Sequence, residues 1–234
     1  MTRNLLITLL AASALIGCGH PVQETAAHKI ADKLPSLLGP AAHYDVQVDG
    51  DPFALSRGRA KAVHMQGQEV QLSPSLTLDT LTADVEDVSF DPATRQLSHV
   101  GQAQFTATID QAHFQTYFAQ AKSRYPGLTI AFRSDDVRAQ VPVTFLGMQA
   151  TASLTGTLAP NADIPSKLDI IANGGQVGGV PIPAVLLNLA LDELNPIITL
   201  RGLRVPLTMT SAKVVNSRLT LQGSVDMTGL THPN

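Results

Sequence analysis

Residues 76–90 read LTLDTLTADVEDVSF, and this stretch decides the fold of the 234-residue chain. Its apolar residues fall at every second position in three successive runs, at 76–78, 81–85 and 88–90. A period of two is typical of a β-strand with one buried face. The slip between one run and the next predicts a bulge or a bend within one long strand.

Alternating segments recur on both sides of this stretch and predict a chain rich in antiparallel strands. Turn residues separate them, including Asp-Gly-Asp-Pro at 49–52 and Asn-Ser at 216–217. The last two strands, and the two on either side of a turn near Gly147, are expected to pair as hairpins. The predicted strands cover residues 44–48, 60–65, 103–109, 128–132, 137–145, 148–154, 168–171, 198–205, 207–215 and 219–225.

Two segments have the apolar spacing of amphipathic helices. Residues 24–38 form the first, with Thr25 as a candidate cap. Pro35 interrupts it and predicts a kink or two short helices. Asp110 is expected to cap the second helix, which is rich in aromatic residues and ends before Pro126.

A third helix, at residues 181–195, is apolar over more of its circumference than packing on a sheet requires. The glycine-rich run at 174–179 lacks the ending of a phosphate-binding loop and predicts a turn before this helix. The helix is too short to cross a bilayer. Its apolar face is expected to cover the sheet or a ligand held against the sheet, and both alternatives stay open. Its polar stripe is expected to face water, and consists of Asn188, Asp192 and Asn195.

These elements predict one α+β domain at residues 24–230, built from an extended antiparallel sheet and two or three helices. Strands that alternate have one apolar face that needs cover, and the helices are the available cover.

The first residues predict export. Arg3 precedes an apolar run at 5–16 that is too short to span a bilayer as a helix. The run is followed by Gly17 and Cys18, the only cysteine in the chain. This order resembles the bacterial lipoprotein signal, and an ordinary secretory signal is the alternative. We therefore expect a signal peptide at 1–17, a Cys18 that carries a diacylglyceryl thioether and an N-linked fatty acid such as palmitate, and a short tether at 18–23.

The expected location is the exterior of a bacterial cell membrane, with the protein lipid-anchored to it through Cys18. An Asp directly after the lipidated cysteine would resemble an inner-membrane retention signal. Position 19 is Gly instead, which resembles an outer-membrane address. In a cell with two membranes, we expect the protein on the periplasmic face of the outer membrane.

Charge and residue types disfavour several classes of function. The formal net charge of −3, without a basic stripe, argues against a nucleic-acid partner. The seven histidines show no metal-ligand spacing, so neither a metal nor another cofactor is predicted. No nucleophile-elbow motif is present, and enzyme activity is not predicted. A hydrolase whose residues assemble from distant segments stays an open alternative.

The order of motifs resembles the LmeA-type phospholipid-binding family of bacterial envelope proteins, over roughly residues 24–226. The resemblance is carried by YDVQVDGDPF at 44–53, the leucine-rich strands at 76–88, ATID at 107–110 with the aromatic helix after it, VPIP at 180–183 and the paired terminal strands at 200–221. It implies a tubular lipid-binding type of fold, in which a long curved antiparallel sheet wraps helices and leaves an apolar groove for acyl chains. It implies neither catalysis nor a metal, and it points to envelope lipid homeostasis.

An acyl chain requires a channel lined by aliphatic and aromatic side chains. Each candidate for this lining is also a candidate for ordinary core. The candidate lipid-binding residues are Phe105, Phe114, Tyr117, Phe118, Phe132, Phe145, Leu186, Leu187, Leu189 and Leu191.

The leading hypothesis is therefore a non-catalytic, lipid-anchored protein that binds phospholipid or another acyl-chain lipid and acts in lipid transport or homeostasis. The alternative is a structural or adaptor lipoprotein with a protein-binding sheet, no ligand groove, a filled core, and an exposed apolar patch or an open sheet edge. No particular protein partner is predicted.

Overall fold

A computed structural model describes residues 20–91, 96–134, 136–145, 147–200 and 206–226. The predicted signal peptide and Cys18 lie outside these residues. Within them the chain forms five helices, three of which are longer than two turns. The helices are α1 (His20–Ala31), α2 (Leu34–Leu38), α3 (Pro52–Ser56), α4 (Gln111–Ala121) and α5 (Ala184–Leu194).

Most of the described chain is strand. The strands are β1 (His43–Asp49), β2 (Arg59–Gln71), β3 (Thr77–Asp91), β4 (Gln96–His99), β5 (Ala103–Asp110), β6 (Thr129–Phe132), β7 (Val137–Phe145), β8 (Met148–Pro160), β9 (Lys167–Val177), β10 (Val180–Pro181), β11 (Ile198–Thr199), β12 (Leu207–Val215) and β13 (Arg218–Val225).

The strands form two open, curved sheets in which all the pairs described are antiparallel. The first sheet has the order β1-β2-β3-β5-β13-β12, with β4 paired to β3. The second has the order β10-β9-β8-β7-β6, with β11 paired to β9. Strand β12 of the first sheet contacts β8 of the second. The α+β class with curved antiparallel sheet is confirmed, and the strands divide between two sheets rather than forming one.

Strand β3 is one long strand, as the alternation at 76–90 predicts. Its register with β2 continues unbroken past both slips, because Leu78 lies opposite Val70 before the first slip and Val88 lies opposite Ala60 after the second. A residue with positive φ stands at each slip, Glu69 with φ 52° on β2 and Asp87 with φ 51° on β3. At these two positions the alternation of side chains between the two faces shifts by one residue, although neither strand contains an extra residue. The inner face of β3 therefore stays apolar along the whole strand.

The first two helices cover the inner face of the first sheet. Leu34 packs with Val46 and Val63 in a buried cluster. Pro35 stands in the first turn of α2, which confirms that the proline divides the segment into two short helices. Thr25 lies inside α1 rather than at its start, because the helix extends back to His20.

Helix α4 connects the two sheets. Asp110 caps it as predicted, since its Oδ1 accepts a hydrogen bond from His113 N at 2.8 Å. Phe114 and Phe118 are fully buried between the helix and the strands around it. Gln111 donates to Ile130 O and accepts from Phe132 N, both at 2.6 Å, so the helix is bonded to the edge strand β6.

Two predicted boundaries were wrong. Gly174 and Gly175 continue strand β9, and the turn falls on Gly178 and Gly179, both of which have positive φ. Helix α5 begins at Ala184 rather than near Pro181, because Pro181 pairs with Gln176 in the short strand β10. The short helix α3 was not predicted, although Asp51 caps it and Pro52 starts it.

No helix within the described residues is both long enough and apolar enough to cross a membrane.

Candidate functional site

An apolar cavity of about 220 Å³ lies between the α1–α2 segment and the inner face of the first sheet. Strand β3 contributes most of its floor, and the neighbouring strands and connecting segments supply the walls. The residues that line it are Ile30, Lys33, Leu34, Leu37, Leu38, Val63, Met65, Leu72, Leu78, Leu81, Ala83, Val85, Val88, Phe90, Leu97, Val100, Ala103, Phe105, Ala107, Leu200, Leu207, Leu221 and Val225.

Among the described residues that line the cavity, Lys33 is the only charged one and every other is apolar. A wall of this composition offers contact surface and almost no hydrogen-bonding groups. It therefore suits a hydrocarbon ligand, whose binding depends on the area removed from water.

The size of the cavity limits what it holds in this conformation. An engineered apolar cavity of about 150 Å³ admits benzene, whereas sites for drug-sized ligands occupy about 300–1,000 Å³. At about 220 Å³, the cavity accommodates part of one acyl chain. A complete diacyl lipid would require the helices to separate from the sheet.

Of the residues predicted to bind lipid, Phe105 lies on the wall of this cavity. Phe114 instead packs against three other aromatic rings in the core around α4. Its ring centroid lies 4.9 Å from that of Phe132, 5.8 Å from Phe118 and 6.5 Å from Tyr117. The side chain of Phe145 lies outside the described residues.

The four leucines predicted on α5 divide between two faces of the helix. Leu187 and Leu191 pack against the main core. Leu186 and Leu189 are 55% and 57% exposed, so they face away from the sheet. None of the four lines the apolar cavity within the described part of the chain.

The polar stripe of α5 was predicted wrongly at one position. Asn188 and Asp192 are exposed as expected. Asn195 is half-buried instead, and its carboxamide bonds to the backbone of Ile170 in β9.

The helical part of the cavity wall was missed from the sequence. The apolar spacing of Ile30, Leu34, Leu37 and Leu38 indicated a helix, but it gave no sign that this helix leaves space beneath it. That space depends on how closely the helix approaches β3, which local spacing does not specify.

A polar recess of about 890 Å³ adjoins the apolar cavity at β3, where Val88 and Phe90 line both spaces. Its other walls come from the segment between β1 and β2, the start of β2, the end of β3 and the end of β4. These residues are Gly50, Asp51, Ala54, Arg57, Arg59, Ala60, Lys61, Asp87, Ser89, Asp91, Ser98 and His99. The three cations were overlooked because they are interleaved with small residues in the sequence RGRAK at 57–61.

A histidine–carboxylate cluster stands apart from both spaces. His113 Nδ1 lies 2.7 Å from Asp79 Oδ1, and His113 Nε2 lies 3.4 Å from Glu69 Oε2. The hydrogen bond to Asp79 raises the pKa of His113, burial opposes this, and the charges of Asp110 and Glu69 add to it. The ligand atoms of Glu69, Asp79 and His113 lie within 4.8 Å of one another, which is a spacing that could hold a metal ion. A protonated imidazole satisfies the same carboxylates without an ion.

Comparison with known proteins identifies one family. The model of the LmeA-like phospholipid-binding family matches residues 22–224. No curated protein and no solved structure gives a significant match. The matched region contains α2 to α5, both sheets except the end of β13, and every residue of the apolar cavity apart from Val225. The chain therefore belongs to the LmeA-like phospholipid-binding family.

Proposed function

We propose that this protein binds a phospholipid, or another acyl-chain lipid, and that the apolar cavity beneath α1 and α2 receives the acyl chain. The observation that carries the proposal is the cavity wall, where Lys33 is the only polar residue in the part of the chain that the structure describes. Membership of a phospholipid-binding family supports the same ligand class.

The energy of such binding comes from hydrocarbon burial. Each methylene group removed from water contributes about 0.8 kcal/mol. Micromolar binding corresponds to about 8.2 kcal/mol, so burial of about ten methylenes supplies that amount before the entropic cost of association is subtracted. To take a longer chain, α1 and α2 separate from β3, and the cavity extends along the inner face of the first sheet.

We also propose that the protein acts without catalysis and is exported. Membership of a lipid-binding family supports the first proposal, and the signal-like segment at 1–17 with Cys18 directly after it supports export. Lipidation of Cys18 would hold the protein on a bacterial membrane, on the periplasmic face of the outer membrane in a cell with two membranes. The domain would then lie at the membrane surface, close to the membrane lipids, where it takes part in lipid transport or homeostasis.

Native mass spectrometry of the full-length chain, purified from membranes and released from detergent in the gas phase, tests the binding function. We expect adducts with the masses of cellular phospholipids. A protein that carries no lipid, and that stays lipid-free after incubation with phosphatidylglycerol and phosphatidylethanolamine vesicles, would contradict the proposal.

Labelling with radioactive palmitate tests the anchor separately. We expect the wild-type chain to incorporate label and to sediment with membranes, whereas Cys18→Ser prevents both. Sedimentation of an unlabelled wild-type chain would show that another segment anchors it.

The exposed face of α5 supports a second function, that of an adaptor. Val185, Leu186 and Leu189 are each more than half exposed on this helix. Solvent-exposed apolar patches on soluble domains often mark protein-binding surfaces. Cross-linking from position 189 in the intact envelope tests this function, and we expect one stoichiometric partner if it holds.

A further inference from the structure

We propose that the polar recess binds the phosphate-bearing headgroup of the lipid whose acyl chain lies in the apolar cavity. This inference rests on the proposed function, because the headgroup is placed relative to the chain. The two spaces share Val88 and Phe90. A molecule that leaves the cavity past Val88 and Phe90 therefore has its polar end beside the recess.

Three cations line the recess from one short segment of chain: Arg57, Arg59 and Lys61. Their side chains are exposed. Among the described residues, none of the three forms an ion pair with a carboxylate. Their donors are therefore available to a ligand. Guanidinium groups bind phosphate oxygens in a bidentate geometry, and an ammonium group adds a point charge.

The recess also contains carboxylates, which determine what kind of headgroup it favours. Asp51 is engaged locally, since its Oδ1 accepts from Phe53 N at 2.9 Å and Ala54 N at 3.2 Å. Asp87 and Asp91 line the same recess as the cations. With three cations and three carboxylates, the described part of the lining has no formal net charge when His99 is neutral. Recognition then depends on directed hydrogen bonds to phosphate, and zwitterionic and anionic headgroups are bound alike.

The size of the recess and the two lining residues that it shares with the cavity favour a lipid over free phosphate. Its volume of about 890 Å³ is within the range of about 300–1,000 Å³ for small-molecule sites. Inorganic phosphate would fill a small part of it and would gain nothing from the adjoining hydrocarbon surface.

The test uses the full-length chain and soluble lipids that share their acyl chains. Dihexanoylphosphatidylcholine, dihexanoylphosphatidylglycerol and dihexanoylglycerol, the last without phosphate, are titrated against bound phenylnaphthylamine, a neutral apolar fluorophore. The test variant is Arg57→Gln/Arg59→Gln/Lys61→Gln. The matched control is Arg133→Gln/Lys213→Gln/Arg218→Gln, which removes the same charges at exposed positions outside the recess.

We expect the test variant to bind both phospholipids at least about tenfold more weakly than the wild type, because charged hydrogen bonds to phosphate are lost. Its affinity for dihexanoylglycerol and the fluorophore should be unchanged, which also shows that it is folded. The control variant should match the wild type for every ligand. Inorganic phosphate alone should cause no saturable change in the NMR signals of the recess residues.

Equal loss of affinity for dihexanoylglycerol and for the phospholipids would overturn the inference, as would phospholipid binding that the test variant retains. A loss caused by Lys33→Gln instead would place the headgroup against α2 and overturn it too. Saturable binding of inorganic phosphate that leaves the affinity for the lipids unchanged would show that the recess is a site for free phosphate, and would overturn the inference. If the wild type binds neither dihexanoylglycerol nor fluorophore, the proposed function itself fails.

Discussion

The carboxamide of Asn195 forms two hydrogen bonds with the backbone of Ile170, since Oδ1 accepts from Ile170 N at 2.8 Å and Nδ2 donates to Ile170 O at 3.1 Å. Two residues later, Ile197 N donates to Leu168 O at 2.8 Å. The Asn195 side chain thus extends the hydrogen-bonded pairing of β11 with β9 by one pair of hydrogen bonds. It fixes the end of α5 on the second sheet and determines which face of the helix is exposed.

Asn195→Ala removes both hydrogen bonds and leaves two backbone groups of a buried strand without these partners. We expect the free energy of unfolding to fall by about 1–3 kcal/mol. Urea denaturation measures the change. Asn188→Ala is the control, because Asn188 is exposed on the same helix and its loss should change stability by less than about 0.5 kcal/mol. Equal effects of the two substitutions would contradict this role.

Gln111 and Gln115 attach helix α4 to the edge strand β6 in a similar way. Gln111 forms two hydrogen bonds with the backbone of β6, to Ile130 and Phe132, whereas Gln115 forms one, accepting from Ile130 N at 3.0 Å. We expect Gln111→Ala to lower stability by about 2 kcal/mol and Gln115→Ala by about half as much. Gln111→Ala should also increase concentration-dependent aggregation, since it uncovers backbone groups of an edge strand. Thermal unfolding and light scattering measure the two effects.

The features predicted correctly from the sequence are those set by neighbouring residues. Asp110 caps α4 because an aspartate before a helix accepts from the free amide of the first turn. The inner face of β3 follows from its alternation, and Pro35 divides the first helical segment because it supplies no amide hydrogen. Each inference needs only a few consecutive residues.

Features that depend on distant contacts were not predicted correctly. The orientation of α5 requires Asn195 to meet Ile170, which lies 25 residues earlier in the chain. Composition alone assigned Leu186 and Leu189 to the same face as Leu187 and Leu191. The apolar cavity likewise depends on a gap between the α1–α2 segment and the first sheet. The sequence does not distinguish an apolar residue that packs against another side chain from one that lines a cavity.

The cluster around His113 predicts a pH-dependent stability. The hydrogen bond to Asp79 raises the pKa of His113 above its ordinary value of about 6.5, against the effect of burial. A raised folded-state pKa favours the protonated form in the fold. The stabilisation is therefore fully present below the unfolded-state pKa and is lost as pH rises through the folded-state pKa. We expect His113→Asn to lower the melting temperature more at about pH 5.5 than at about pH 8.5.

His43→Asn is the control for that experiment, because His43 is exposed and forms no ion pair with a described carboxylate. It should shift the melting temperature by a similar small amount at both pH values. If His113→Asn lowers the melting temperature by the same amount at both pH values, the result contradicts the protonation of His113 in the folded protein.

Filling the apolar cavity should separate lipid binding from stability. Ala83 lies on the cavity floor in β3, and Ala83→Met places a flexible apolar side chain into the space of about 220 Å³. Because this side chain enters a cavity rather than a packed core, we expect stability to change by less than about 1 kcal/mol. The affinity for phenylnaphthylamine and for phospholipid should fall by at least about tenfold, since the methionine occupies the position of the acyl chain.

Gln104→Met is the matched control, because Gln104 is exposed and lies outside the cavity wall, on the β5 strand that pairs with β3. Fluorescence titration and urea denaturation of both variants measure the outcome, and unchanged affinity in Ala83→Met would show that the lipid lies elsewhere.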